Sequence, residues 1–334
     1  MNVPVAYHNG VPHMPSRPVK TYRKVKKTVA FDSRDRVFTN TTNSNGDALP
    51  LNNEYVIQMP EALKQVYSVR LKEAEIPLSF YMFNSQNVAI NCDTVGMNYN
   101  GLMTIDFNGT LYTVRIPDGS YTSLTTFAAA VQTGLNQAQD STGTTIPGAP
   151  FTVTGSLTTG KLTITAGATP FTLLFSSTNY VLTSNTDWGL GYYMGFQKTD
   201  QVAVDVGGVY TLISDYPAIF LPYTYVFMEL EFINKADETS FNNQRSGNKD
   251  SIFAKIPLTQ TVIGGYTFHY DLATYETRSV LNPPMNKLQN IHVKFRFHDG
   301  TVPNFNNMEH SFLLEFELLD SNFDEFSSLE TSIF

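Results

Sequence analysis

The residues of this chain with the widest chemical repertoire are scattered: His8, His13, His269, His292, His298 and His310, with a single cysteine, Cys92. Acid–base or nucleophilic catalysis needs such groups within hydrogen-bond reach of one another. The sequence has no GxSxG nucleophile elbow, no GxxxxGK loop followed by Ser or Thr, no HExxH zinc helix and no GxGxxG after a strand. Ser120 and Ser123 have no His or Asp at motif spacing. One cysteine excludes an intrachain disulfide and a cysteine-based zinc site, so Cys92 reads as a small buried hydrophobe. Two loops carry metal-ligand types. His298, Asp299, Glu309 and His310 bracket one, and Asp237, Glu238 and Asp250 flank the Asn-rich ADETSFNNQRSGNKD. Both read as solvated loops, because their spacing matches no zinc or calcium pattern. No catalytic, cofactor-binding or metal residue is assigned, and no enzyme activity or cofactor is expected.

The remaining chemistry is that of contact. Aromatic residues make up 13% of the chain, with one tryptophan, Trp188. The stretch WGLGYYMGF, 188–196, is either a patch for a partner or the corner of a core, and Tyr192, Tyr193 and Phe196 are its candidate contacts. SFYMFN, 79–84, poses the same choice. Residues 1–28 hold four prolines and the basic residues Arg17, Lys20, Arg23, Lys24, Lys26 and Lys27 without a sustained hydrophobic period. The segment reads as an extended arm: a solvated tail, a peg docked on a neighbouring subunit, or a nucleic-acid tail. With only Tyr22 interleaved among the basic residues to stack on bases, nucleic-acid binding would be weak and salt-sensitive. Six basic side chains and no acid lie in residues 1–30 against a whole-chain charge of −8, so the rest of the chain stands at −14.

The elements that must position these residues are strands. A chain of 334 residues with 42% hydrophobic and only 16% charged residues is long enough for one large all-β domain or two ordinary ones. It has no apolar run of 18 residues and no signal-like leader, so neither a membrane span nor secretion is expected. Tyr67, Val69 and Leu71 alternate with polar residues, after which the apolar parity jumps to Ala74 and Ile76, predicting a β-bulge near Lys72 and Glu73. Ile291, Val293, Phe295 and Phe297 alternate with His292, Lys294, Arg296 and His298. Phe312, Leu314, Phe316 and Leu318 alternate with acids, so these two strands are expected to pair, with Glu315 and Glu317 opposite the basic row. That row reads as a solvated face with cross-strand ion pairs in preference to an anion-binding stripe.

Further strands are expected at 54–59, 102–107, 110–116, 151–154, 161–165, 171–175, 202–205, 225–233 and 262–270, with Met228, Leu230 and Phe232 facing inward. Leu124, Phe127, Ala128, Val131 and Leu135 form a helical stripe, predicting a helix near 123–139 capped by Thr122 or Ser123. The expected organisation is a basic arm (1–28), a sandwich (29–96 and 201–320), an α+β insertion (97–200) and an acidic tail (321–334).

Five blocks in order carry a resemblance: DSRDR (32–36), NNEYVIQMPEALKQVYSVRLKEAEIPLSFYMFN (52–84), IPDGSYTSLTTFAAAVQTGLN (116–136), LGYYMGF (190–196) and PPMNKLQNIHVKFRFHDGTVPNFNNMEHSFLLEFELLD (283–320). Together they resemble minor capsid and penton-type proteins of large double-stranded DNA viruses of eukaryotes, to which virophage pentons are related. The resemblance implies an all-β fold, a single jelly-roll β-sandwich with an inserted small α+β domain, and a structural role without enzyme activity. It implies a virion location after assembly in the host cytoplasm or nucleus, and contacts with the major capsid protein, other minor capsid proteins and copies of itself in a homopentamer. An internal cement protein linking major capsid units is the alternative. A carbohydrate- or receptor-binding β-sandwich module is the second, since jelly rolls also serve lectins.

Overall fold

The computed structural model describes residues 7–8, 11–12, 22–39, 41–42, 46, 48–84, 100–176, 180–181, 187–220, 223–237, 251–259, 263–270, 277–298 and 302–321. Arg17, Lys20, His13, Cys92, Asp299, the loop 238–250 and the expected tail from 322 onward lie outside them.

Seven strands make the principal sheet: β1 (Tyr22–Asp32), β2 (Glu54–Pro77), β3 (Tyr225–Leu230), β4 (Ala254–Pro257), β5 (Tyr266–Tyr270), β6 (Arg278–Arg296) and β7 (Ser311–Ser321). All their pairings are antiparallel. The 24-residue β2 serves twice. Residues 73–77 lie between β7 and β5 and residues 66–70 between β7 and the start of β6 (278–285), with β1 beyond β7, whereas residues 54–64 lie against the rest of β6, which leads on to β3 and β4. Between the two halves Leu63 and Val66 are buried while Lys64 and Gln65 are exposed, and Gln65 adopts φ 52°. This break in alternation turns the strand from one layer to the other. Two four-stranded antiparallel layers connected in this order form a jelly roll.

Both layers face one core, which takes Phe31, Val69, Leu71, Ile76, Leu314 and Phe316 from the first and Tyr55, Ile57, Met228, Val293 and Phe295 from the second. The expected bulge is present. Leu313 pairs with Glu73 and Leu314 with Leu71, so Lys72 is looped out of the ladder.

The expected pairing of 291–297 with 312–318 is not found: β2 lies between β6 and β7. The connection between them crosses the molecule and is pinned by Asn53 Nδ2 to Pro303 O (2.9 Å), Ser79 Oγ to Phe305 O (2.5 Å) and Asn52 Nδ2 to Met308 O (2.6 Å). Phe232 is a second correction. Strand β3 stops at Leu230, whose N–H donates to Asn234 Oδ1 (2.8 Å), and the chain turns with Phe232 at φ 65° and 78% exposed, burying Ile233 in its place.

A separate core lies in the segment between β2 and β3. One of its sheets contains, in spatial order, Gln201–Val202, Phe171–Leu174, Leu102–Phe107 and Thr110–Arg115. The other contains Val204–Asp205, Tyr210–Ile213, Leu162–Thr165 and Thr152–Gly155. Helix α1 (Leu124–Asn136) buries the expected stripe, and Ser123 caps it in a capping box with Thr126. The unit reaches past the expected boundary at 200, since 201–213 complete its sheets and Phe220 packs on its core. It also takes Met82 and Phe83 from the segment assigned to the sandwich. Strand alternation is the same on either side of a domain boundary, so it could not mark this one.

Candidate assembly interface

The basic run expected in a free arm is partly built into the sheet. Val25, Val29 and Phe31 share one face of β1, and Phe31 stacks on Phe312 with ring centroids 5.2 Å apart. Lys27 interrupts that alternation, which is why the period was not evident from sequence. On the other face Lys24 and Lys26 lie beside the acids of β7. Lys26 Nζ is 3.2 Å from Glu315 and Lys24 Nζ 3.6 Å from Glu317, while Lys27 reaches across to Glu61 at 2.6 Å. Lys24 also sits 4.3 Å over the Tyr67 ring. Exposed pairs of this kind contribute about 0.2–1 kcal/mol each. They do neutralise the row: Lys24, Lys26 and Lys27 all meet acids of the same chain. Arg23 is exposed on the strand.

Glu317 anchors the cluster. Partial burial pushes its carboxyl up, but Arg278, Lys24 and the Ser68 hydroxyl (3.2 Å) outweigh this and hold it below the ordinary value. Arg278 also donates from Nε to Ser68 Oγ at 3.1 Å. The basic row of β6 finds different acids from those expected: His292 lies 3.5 Å from Glu54 and 3.3 Å from Glu231, Lys294 lies 3.7 Å from Glu54, and Arg296 binds Glu229. It is an ion-paired face.

Among the described residues β1 pairs only with β7, so its other edge presents an open row of backbone groups. Tyr22 and Val25 are exposed along it. On the far side of the same layer, which β5 shares with the start of β6, β5 pairs only with β2 among the described residues, and Phe268 and Tyr270 are 51% and 59% exposed. The first layer therefore ends in two unlike sides, one basic with Tyr22 and Val25, the other carrying Phe268 and Tyr270.

The aromatic candidates of the insertion behave otherwise. Tyr193 and Phe196 are buried and Tyr192 half-buried. Helix α2 (Leu190–Tyr193) seats them, with Tyr193 edge-on to Phe83 at 5.4 Å and its hydroxyl donating to Asp187 at 3.2 Å. Burial pushes the Tyr192 phenol up. Phe196 packs on Phe175, and Gly195 at φ 83° lets the chain pass where a Cβ would collide with the Tyr216 carbonyl. These rings are core, which withdraws Tyr193 and Phe196 as contacts.

What lies exposed on the insertion is aliphatic. Val202, Val204, Val206 and Ile213 are each more than half exposed, and register places Thr152, Thr165, Thr211 and Val204 in one row across the four strands. The V-A-V-D-V alternation at 202–206 was the available signal.

Glu238, Asp250 and Asp299 lie outside the described residues. Glu309 is bound by Arg36 (2.7 Å) and Ser33, and the His310 ring is buried among Phe295, Phe305 and Phe312 with Nε2 2.7 Å from Asn52 O. Burial pushes His310 down to about 4, against the Asn52 carbonyl, which favours the protonated ring. Among the described residues no three His, Cys, Asp or Glu side chains converge, and no helix is long and apolar enough to cross a membrane.

No family model and no curated protein matches the chain. Ten solved chains are similar to it, among them the following two. A chain in the cryo-EM structure of the Sputnik virophage is 14% identical, with 86% of this chain and 97% of that chain covered and a TM-score of 0.41. The mavirus penton protein is 11% identical, with 89% and 99% covered and a TM-score of 0.41.

Proposed function

We propose that this chain is a structural subunit of an icosahedral virus shell, of penton type, and that it closes a fivefold ring through the two unlike edges of its β1–β5 layer. The single observation that carries the reading is that asymmetry, on a jelly roll into which the five resembling blocks fall as the end of β1, β2, the strands β6 and β7 on either side of the 298–310 crossing, and the two insertion helices. A closed ring uses heterologous contacts, one flank meeting a different one on the next copy. The basic β1 edge, with Tyr22, Arg23 and Val25, and the aromatic β5 edge, with Phe268 and Tyr270, meet that requirement, because backbone rows pair while the Arg23 guanidinium rests on a tyrosine or phenylalanine face. Arg17 and Lys20, earlier in the sequence, add basic charge that suits neighbouring shell proteins of opposite charge.

Native mass and particle imaging of the purified chain test this. Pentamers are expected, and a Phe268→Glu, Tyr270→Glu double variant should stay folded and monomeric. Removing residues 1–21 should leave the sandwich intact and impair incorporation into particles; removal of 1–28 would also strip half of β1 and confuse the result. A wild-type chain that stays monomeric at every concentration, or a double variant that still forms rings, overturns the edge-to-edge contact.

A further inference from the structure

We propose that a cleft on the insertion binds a carboxylate-bearing sugar, the terminal residue of an acidic glycan. The cleft encloses about 510 Å³, within the range of small-molecule sites. It is lined by Arg115, Thr113, Gln137, Gln139, Asp140 and Pro117, among others. Three elements fix its shape. Thr113 and Gln139 exchange backbone hydrogen bonds of 2.7 and 3.1 Å, which puts their side chains on the same face. Helix α1 lies close against the strand carrying Arg115 because residue 134 is glycine: a Cβ there would come within 2.8 Å of the Arg115 carbonyl oxygen. That approach brings Gln137, the C-cap of α1, to the cleft.

Asp140 supplies the third wall. Its Oδ1 accepts from Thr142 N (2.8 Å), Thr142 Oγ1 (2.7 Å) and Thr144 N (2.9 Å), and the Thr142 hydroxyl first, then the backbone donors, hold the carboxyl below its ordinary value. The loop is thereby set, and Oδ2 is left over as an acceptor. Arg115 lines the same cleft but forms no ion pair with Asp140 or with any other acid among the described residues.

A cation and an anion that line one cleft without pairing with each other, together with two amides and a hydroxyl, suit a ligand with a carboxylate at one end and hydroxyls along its length. The guanidinium fork takes the carboxylate, Gln137, Gln139 and Thr113 take ring hydroxyls, Asp140 accepts from another, and Pro117 meets a C–H face of the ring. A phosphate, with up to two charges, fits less well beside the Asp140 carboxylate and a single cation.

The test is a titration of the purified chain with sialyllactose and, in parallel, lactose, followed by ligand-observed and amide NMR. Saturable binding of sialyllactose is expected, with shifts at Gln137 and Gln139 and none from lactose. Arg115→Ala should weaken binding about 10-fold or more, the loss expected when a charged hydrogen-bond partner is removed. Leu157→Ala, an exposed position of the insertion that does not line the cleft, should bind as the parent does. Equal binding of lactose, unchanged binding by Arg115→Ala, or no saturation by sialyllactose overturns the proposal. The inference does not rest on the shell reading, since it is measured on the unassembled chain.

Discussion

The sandwich and the insertion are both antiparallel, aromatic-rich and well buried, yet they are closed in opposite ways. Every core residue of the insertion lies between Met82 and Leu212, whereas the sandwich core joins Phe31 to Phe316 and Tyr55 to Phe295. Their surfaces differ as well. Ion pairs between residues as far apart in sequence as Lys24 and Glu317 line the sandwich, and uncharged threonine and valine rows cover one sheet of the insertion. A unit made of local contacts loses little loop-closure entropy and forms without the chain ends; the jelly roll cannot close until β7 has been made. Separate cores with different closure should therefore fail separately.

The largest effect is expected from Phe127→Asp. Phe127 is fully buried, stacked on Phe83 at 5.3 Å, and an unpaired carboxylate there should cost more than about 4 kcal/mol. Hydrogen exchange should show protection lost over 102–213 and retained in β2, β6 and β7. Loss of protection in both regions at once would mean that the two cores melt as one cooperative unit.

Acid should divide them the other way. His310, in the sandwich, has a folded pKa of about 4 against an ordinary value of 6.5, so the unfolded chain binds the proton more readily between these values. Its contribution is complete above pH 6.5, is lost as pH falls toward 4, and amounts to about 3 kcal/mol. Asp32, Glu309 and Arg36 are the charged groups nearest to it. Residues 82–220 contain no histidine, so the insertion should hold its stability over the same window. Denaturant melts at about pH 7 and pH 4.5, read by Trp188 for the insertion and by exchange of β7 amides for the sandwich, check this. A His310→Phe chain should lose the slope.

The smallest effect expected is that of Ser123→Ala. It removes the hydroxyl that accepts from Thr126 N at 3.1 Å, and should cost about 1 kcal/mol, confined to the insertion. A matching drop in sandwich stability would show that the units are coupled more tightly than their cores suggest.

Local physics was legible in the residues. The α1 stripe and its Ser123 cap, the strand at 102–107 and the bulge at Lys72 each follow from side-chain spacing within one element, where backbone geometry alone decides which way a side chain points. The candidate contacts were legible only in part. Lys24, Lys26 and Lys27 announced a basic strip, but not that Glu317, Glu315 and Glu61 would meet it. Tyr193 and Phe196 announced an aromatic cluster without saying whether solvent or Phe175 would cover it.

Partner choice belonged to the tertiary structure. Strands β6 and β7 carry the same alternation and complementary charges, so nothing local forbids them from pairing; β2 comes between them because the 298–310 segment is tied to Asn52, Asn53 and Ser79 and cannot act as a hairpin turn. Phe232 shows the same limit on a smaller scale, since the hydrogen bond of Asn234 to Leu230 ends the strand before its period can place the ring inside. Periodicity assigns each residue a face. Which element covers that face depends on contacts between residues far apart in the chain, and these exist only once the chain has closed.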